Sequence, residues 1–155
     1  MFDFDAKPGD LIEIFRGTYE HWAIYIGGNE VIHLIPSSHF SGLLMFVDTD
    51  RAQVKRQKIW EVVGHHRFEI NNFLDHKYEP HERRIIVRDA CSMVGQELQY
   101  SLATHNCEHF VTELRYGKPE SRQGLGLGLG VRLGLWLVCT GLLICGWVLQ
   151  MYVLV

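Results

Sequence analysis

The sequence predicts an α+β fold, an antiparallel sheet packed with helices, followed by a C-terminal transmembrane helix. Three observations predict it. Short β-rich runs separated by tight turns fill the first third of the chain. Two later stretches, one starting near Glu82 and one at Cys107, place apolar residues at helical spacing. From Leu133 to Val155 no charged residue occurs, which matches the ~20 residues that cross a bilayer as a helix.

The elements follow in order. Lys7-Pro8-Gly9-Asp10 reads as a turn and Leu11–Phe15 as the first strand, broken by Gly17-Thr18. His21–Ile26 is the second strand, Gly27-Gly28-Asn29 a hairpin turn, and Val31–Ile35 the third strand, ended by Pro36. Strand alternation puts His21, Ala23 and Tyr25 on one face and Trp22, Ile24 and Ile26 on the other. His33 shares a face with His21 in some hairpin registers, and the sequence does not fix which register forms. Residues 37–50 read as a loop with an apolar cluster, Phe40, Leu43, Leu44, Met45 and Phe46. That cluster either plugs the core edge or touches lipid. Residues 53–63 contain a further strand, with Lys55, Arg56 and Lys58 on a solvated face. A short strand over 67–70 and a turn at Asn71-Asn72 come next. A helix from about Glu82 turns Ile85, Ile86, Ala90 and Met93 inward and stops at Gly95. Residues 96–102 are extended or irregular.

Asn106 is the expected N-cap of the last helix of the domain, since its side-chain oxygen can accept an orphan backbone N–H. Cys107, Phe110, Val111 and Leu114 share its inward face, Arg115 sits in the last turn, and Gly117 is the C-terminal stop. A Gly-rich linker follows. The division is a domain at 1–120, a linker at 121–132 and an anchor at 133–155.

Bulk properties narrow the function. A formal net charge of −3 over 155 residues gives no electrostatic basis for nucleic-acid binding, and no zinc-finger pattern occurs. The four cysteines (Cys91, Cys107, Cys139, Cys145) form no CxxC pair, so a disulfide framework is not expected and a reducing compartment is. Met1–Asp5 lacks the pattern of a signal peptide. Lys118, Arg122 and Arg132 precede the apolar tail and nothing charged follows it, which orients a single-pass anchor with the domain facing the cytosol.

The chemistry centres on Cys107. A thiol in the first turn of a helix is expected to have a lowered pKa, and the thiolate is the attacking form. Such a nucleophile needs a base, and the base needs a third polar group to orient it. His21 and His33 are placed for those two roles. Tyr19 and Arg16, just before His21, are weaker candidates for substrate or oxyanion contacts. A zinc site from Cys107, His109 and two strand histidines is the competing chemistry, without the usual ligand pairs. No cofactor is required by a Cys–His mechanism. A non-enzymatic membrane adaptor with structural Cys and His is the remaining alternative.

Asn106-Cys107-Glu108-His109-Phe110, followed by Leu114-Arg115-Tyr116-Gly117, resembles the phospholipase A/acyltransferase group of the lecithin:retinol acyltransferase-like proteins. So do Pro8–Glu13, His21–Tyr25, Val31–Leu34, Asn71-Asn72 and Val94–Glu97, in the same order along the chain. The resemblance spans about Lys7 to Gly117. It implies a permuted papain-like, NlpC-type domain in which the histidine strand precedes the cysteine helix. It implies Cys107 as nucleophile, His21 as base and His33 as the orienting member. It also implies a calcium-independent thiol enzyme that cleaves sn-1 or sn-2 acyl esters of glycerophospholipids. The acyl group would pass to water, to the amine of phosphatidylethanolamine or to a lysophospholipid. A thiol peptidase of the same fold is the rival within that architecture.

Overall fold

The computed structural model describes residues 5–37 and 50–122. The apolar stretch of the 37–50 loop, nearly all of the linker and the expected span at 133–155 lie outside them. Among the described residues no helix is long and apolar enough to cross a membrane.

Six strands form one antiparallel sheet: β1 (Leu11–Phe15), β2 (Glu20–Gly27), β3 (Glu30–Pro36), β4 (Arg51–Lys58), β5 (Phe68–Ile70) and β6 (Glu97–Gln99). Their order is β5-β1-β2-β3-β4-β6. The first three strands make the expected meander. Gly27, Gly28 and Asn29 all carry positive φ, so the turn between β2 and β3 takes the left-handed geometry that suits the twist of a tight hairpin. Among the described residues three helices pack with the sheet: α1 (Ile59–Val63), α2 (Arg83–Ser92) and α3 (Cys107–Tyr116).

Alternation along the strands divides the core in two. Leu11, Trp22, Ile24, Ile32 and Leu34 face α2 and α3, where Ile86, Ala90, Cys107, Phe110 and Val111 meet them. Ile12, Ile14, Ala23, Tyr25 and Val31 face α1 through Ile59, Val62 and Val63. The sheet is therefore covered on both faces, and β2 is buried on both sides of its pleat.

Four readings of the sequence are revised or sharpened. The strand expected within 53–63 runs over 51–58 and then turns into α1, because Ile59, Val62 and Val63 cover the second sheet face at helical spacing. Asn71-Asn72 is not a free turn. The Asn71 N–H donates to the Leu11 carbonyl, and Asn72 Oδ1 accepts the Leu11 N–H at 2.9 Å, so both extend the β1 edge. Residues 97–99 of the extended stretch form β6 on the far edge of the sheet. Helix α2 stops at Ser92, with Met93 as its C-cap, short of Gly95.

Candidate active site

Helix α3 begins as its sequence requires. Asn106 Oδ1 accepts the N–H groups of Glu108 (3.0 Å) and His109 (3.1 Å), and the Asn106 N–H donates to His109 Nδ1 at 3.3 Å. This is a capping box with histidine in the place usually taken by Glu or Gln. It employs His109 in the cap, and among the described residues no group of three or more His, Cys, Asp or Glu side chains converges as a metal set would. Gly117 ends the helix at φ 66°, and a Cβ there would meet the His81 ring at 3.3 Å.

The cap fixes Cys107 in the first turn, 3% exposed. Its thiol lies 3.9 Å from the Glu20 carbonyl, to which it donates, and it accepts the backbone N–H of Trp22. Glu20 and Trp22 flank His21. The pairing of β2 with β3 stops at Ala23–His33, so the thiol sits against β2 just past the end of that ladder.

His21 and His33 come from adjacent strands. Ala23 pairs with His33, so His21 lies two residues along β2 from the residue opposite His33, yet the two rings meet diagonally with His21 Nε2 2.7 Å from His33 Nδ1. They are edge-on, 77° between planes, and both are buried. The register that the sequence left open thus puts them in hydrogen-bond contact. The far side of His33 is held by a residue absent from the sequence reading: His33 Nε2 is 2.8 Å from Gln57 Oε1 on β4. An amide oxygen only accepts, so His33 carries its proton on Nε2 and its Nδ1 accepts from His21 Nε2. The remaining nitrogen of neutral His21, Nδ1, then bears a free lone pair. Gln57 was hidden among Lys55, Arg56 and Lys58, and only the strand register brings it to His33.

The electrostatics differ from the sequence expectation. Burial pushes the Cys107 thiol up to about 12, with the Glu108 carboxylate adding to the rise. The N–H groups of Trp22, Cys107 and Glu108 pull the other way, and desolvation outweighs them. Burial likewise holds His21 well below the usual histidine range, with His33 and the Arg16 charge adding to that effect. His33 is lowered to about 4, mainly by burial, against the Gln57 bond that raises it. Both shifts favour a neutral thiol and a neutral imidazole over a preformed thiolate–imidazolium.

The two weaker candidates also find places. Arg16 donates to the Val62 carbonyl at 2.6 Å, and its charge opposes protonation of both histidines. Tyr19 packs against the core that holds Cys107; burial raises its phenol, with the Cys107 charge adding and Arg16 opposing. Tyr100, buried in the same core, lies within electrostatic reach of Cys107 and Tyr19. Beside the start of α3 a cleft of about 520 Å³ opens, lined by Leu34, Met93, Leu98, Asn106, His109 and Phe110 among others.

Fold and site together define a cysteine–histidine protein of α+β architecture, with the cysteine on a helix N-terminus and the histidines on the sheet. The chain belongs to the lecithin retinol acyltransferase family, whose profile matches residues 5–120. It is 44% identical to human phospholipase A and acyltransferase 4 over 156 residues, covering 96% of this chain and 93% of that one. Mouse phospholipase A and acyltransferase 3 is 48% identical over 123 residues, 77% of this chain and 76% of its own. Human phospholipase A and acyltransferase 2 is 44% identical over 140 residues, 84% of this chain and 86% of its own.

Proposed function

We propose that this protein is a thiol phospholipase A and acyltransferase of glycerophospholipids, with Cys107, His21 and His33 as its triad. The observation that carries the triad is the hydrogen-bond chain from Gln57 through His33 to His21, with the Cys107 thiol seated on the backbone at either side of His21. The substrate class comes from the relatives named phospholipase A and acyltransferase.

Cys107 Sγ attacks the ester carbonyl while His21 Nδ1 takes the thiol proton. Because thiol and imidazole are both neutral at rest, proton transfer accompanies attack. The imidazolium that forms donates from Nε2 to His33, which holds the ring in place. The tetrahedral oxyanion takes the Cys107 N–H at the positive end of α3, and Tyr19, within electrostatic reach of Cys107, is assigned as a second donor. His21 then protonates the leaving lysophospholipid oxygen, and a thioester remains on Cys107. Water releases a fatty acid, while the amine of phosphatidylethanolamine or a lysophospholipid hydroxyl carries the acyl group away. No step calls for calcium. The order of histidine strands before cysteine helix fits a permuted papain-like, NlpC-type domain.

The same reading assigns residues 1–120 to catalysis, 121–132 to a linker and 133–155 to a single-pass anchor that leaves the domain on the cytosolic side. It rests on the uncharged length of the tail and on the basic residues before it.

Mass spectrometry of full-length protein quenched after mixing with a defined phosphatidylcholine tests the chemistry. An acyl mass on the Cys107 peptide is the expected result, and turnover without one would remove Cys107 as nucleophile. Deleting 132–155 tests the anchor. The truncated protein should leave the membrane fraction and still hydrolyse phospholipid in detergent micelles; retention in the membrane pellet would show that another segment holds it.

A further inference from the structure

Glu108 follows the nucleophile in the chain and is fully buried, 0% exposed. A carboxylate without compensation there would be costly and would oppose a negative sulfur. Compensation comes from the segment where the chain leaves the domain. Glu108 Oε2 accepts Ser121 Oγ at 2.7 Å and the Arg122 N–H at 3.0 Å, while Oε1 accepts Arg122 Nε at 3.1 Å. The same guanidinium donates to Glu13 Oε1 on β1 at 3.0 Å and lies 4.2 Å over the Phe73 ring and 5.3 Å from the Trp22 ring. Ser121 Oγ also accepts from Asn106, the cap of α3, and Thr112 Oγ1 bridges to both backbone groups of Glu120. Residues 120–122 are thus fastened along the first turns of the cysteine helix.

We propose that Arg122 is a positioning residue for Cys107: it neutralises the buried carboxylate of Glu108, the next residue of α3, and clasps the departing chain to the start of that helix. The clasp acts through Glu108 and does not touch substrate. Its electrostatic part has one sign. With Arg122 in place, the negative charge next to Cys107 is paired; without it, that charge raises the thiol further. The Glu20 carbonyl on β2 faces the thiol, and Tyr19 before β2 and Tyr100 after β6 lie within its electrostatic reach. None of them replaces the lost cation.

This inference rests on Cys107 being the nucleophile, so its test reads the thiol and not lipid turnover. The rate of alkylation of Cys107 by iodoacetamide is followed from pH 6 to 10 in full-length protein, resolved by peptide mass spectrometry because Cys91 is exposed. Arg122→Gln should slow Cys107 alkylation ~10-fold at neutral pH and displace the profile upward by about one unit, the size expected for losing one close opposite charge. Arg122→Lys should recover most of the rate. The double variant Glu108→Gln/Arg122→Gln, with both charges gone, should return to the wild-type profile. An unchanged profile in Arg122→Gln, or no recovery in the double variant, overturns the proposal. If Arg122→Gln does not fold, the double variant decides alone: it folds with a wild-type profile, or the proposal fails. Because no lipid enters the assay, absence of phospholipase activity leaves this result readable.

Discussion

The two ends of α3 are buried and polar, yet they are balanced in opposite ways. At the C-terminal end Arg115, 2% exposed, forks onto Asp75 with bonds of 2.9–3.1 Å and donates to the Gly9 carbonyl at 2.7 Å. Asp10 lies 3.8 Å from it and is further held by Arg83, Asn72 and the Lys7 N–H. Every charge there has an opposite charge or a donor. At the N-terminal end the Glu108–Arg122 pair stands beside a neutral set, in which His21 and His33 are matched with each other, His33 with Gln57 and Cys107 with backbone. Buried charges in fitted pairs are costly to disturb and hold geometry. Buried neutral acids and bases are costly to ionise, and a group in that state exchanges a proton only when a reaction supplies the compensating charge. One end of the helix fixes where the chain goes; in the proposed mechanism the other keeps a proton ready to move.

The largest effect should come from Cys107→Ser. The hydroxyl is far less acidic than a thiol and should lower kcat/KM by ~10³-fold or more, with the melting temperature close to wild type because no charge is exposed by the change. Full activity would dismantle the N-terminal half of the comparison. His21→Ala should cost ~10²–10⁴-fold, the range of a general base. His33→Ala should cost less, since it acts through His21. The reverse order in kcat/KM would exchange their roles.

Arg115→Ala sharpens the other half. Removing it takes the cation from the partly exposed Asp75 and the donor from the Gly9 carbonyl, while Asp10 keeps Arg83; destabilisation of ~1–3 kcal/mol is expected, read from urea unfolding. Alkylation of Cys107 in the folded fraction should be unchanged. A loss of thiol reactivity at intact stability would mean that the two ends are coupled.

A further effect is in pH. His33 is lowered to about 4 from an ordinary 6.5, and His21 is lowered as well. The unfolded chain binds more protons in that interval, so the stability from burying neutral rings is whole above pH ~6.5 and declines as pH falls toward 4. The slope is up to ~1.4 kcal/mol per pH unit for each ring. Asp10 is lowered too, its hydrogen bonds from Lys7, Arg83 and Asn72 outweighing burial, so its share is kept until the pH falls below about 4. Melting temperature from pH 7.5 to 4.5 should therefore fall in wild type and fall less in His33→Gln. Parallel curves would show that the histidine is not the titrating group.

Much of this was legible in residue order because it depends on local physics. The Gly27-Gly28-Asn29 turn, the alternation that sends Ala23 and Trp22 to opposite faces, the Asn106 cap and the Gly117 stop each follow from a few neighbouring residues. The family blocks around Cys107 and His21 marked those two positions for the same reason, since each block is continuous. What tertiary structure alone decided involves residues far apart in the chain. Gln57 reaches His33 only through the β3–β4 register, and Arg122 reaches Glu108 and Glu13 only because residues 120–122 fold back on α3. The thiol's acidity belongs with these. A helix N-terminus argues for a lowered pKa, but burial between α3 and the sheet raises it to about 12. Desolvation is set by everything packed around a group, and no short stretch of sequence contains that sum.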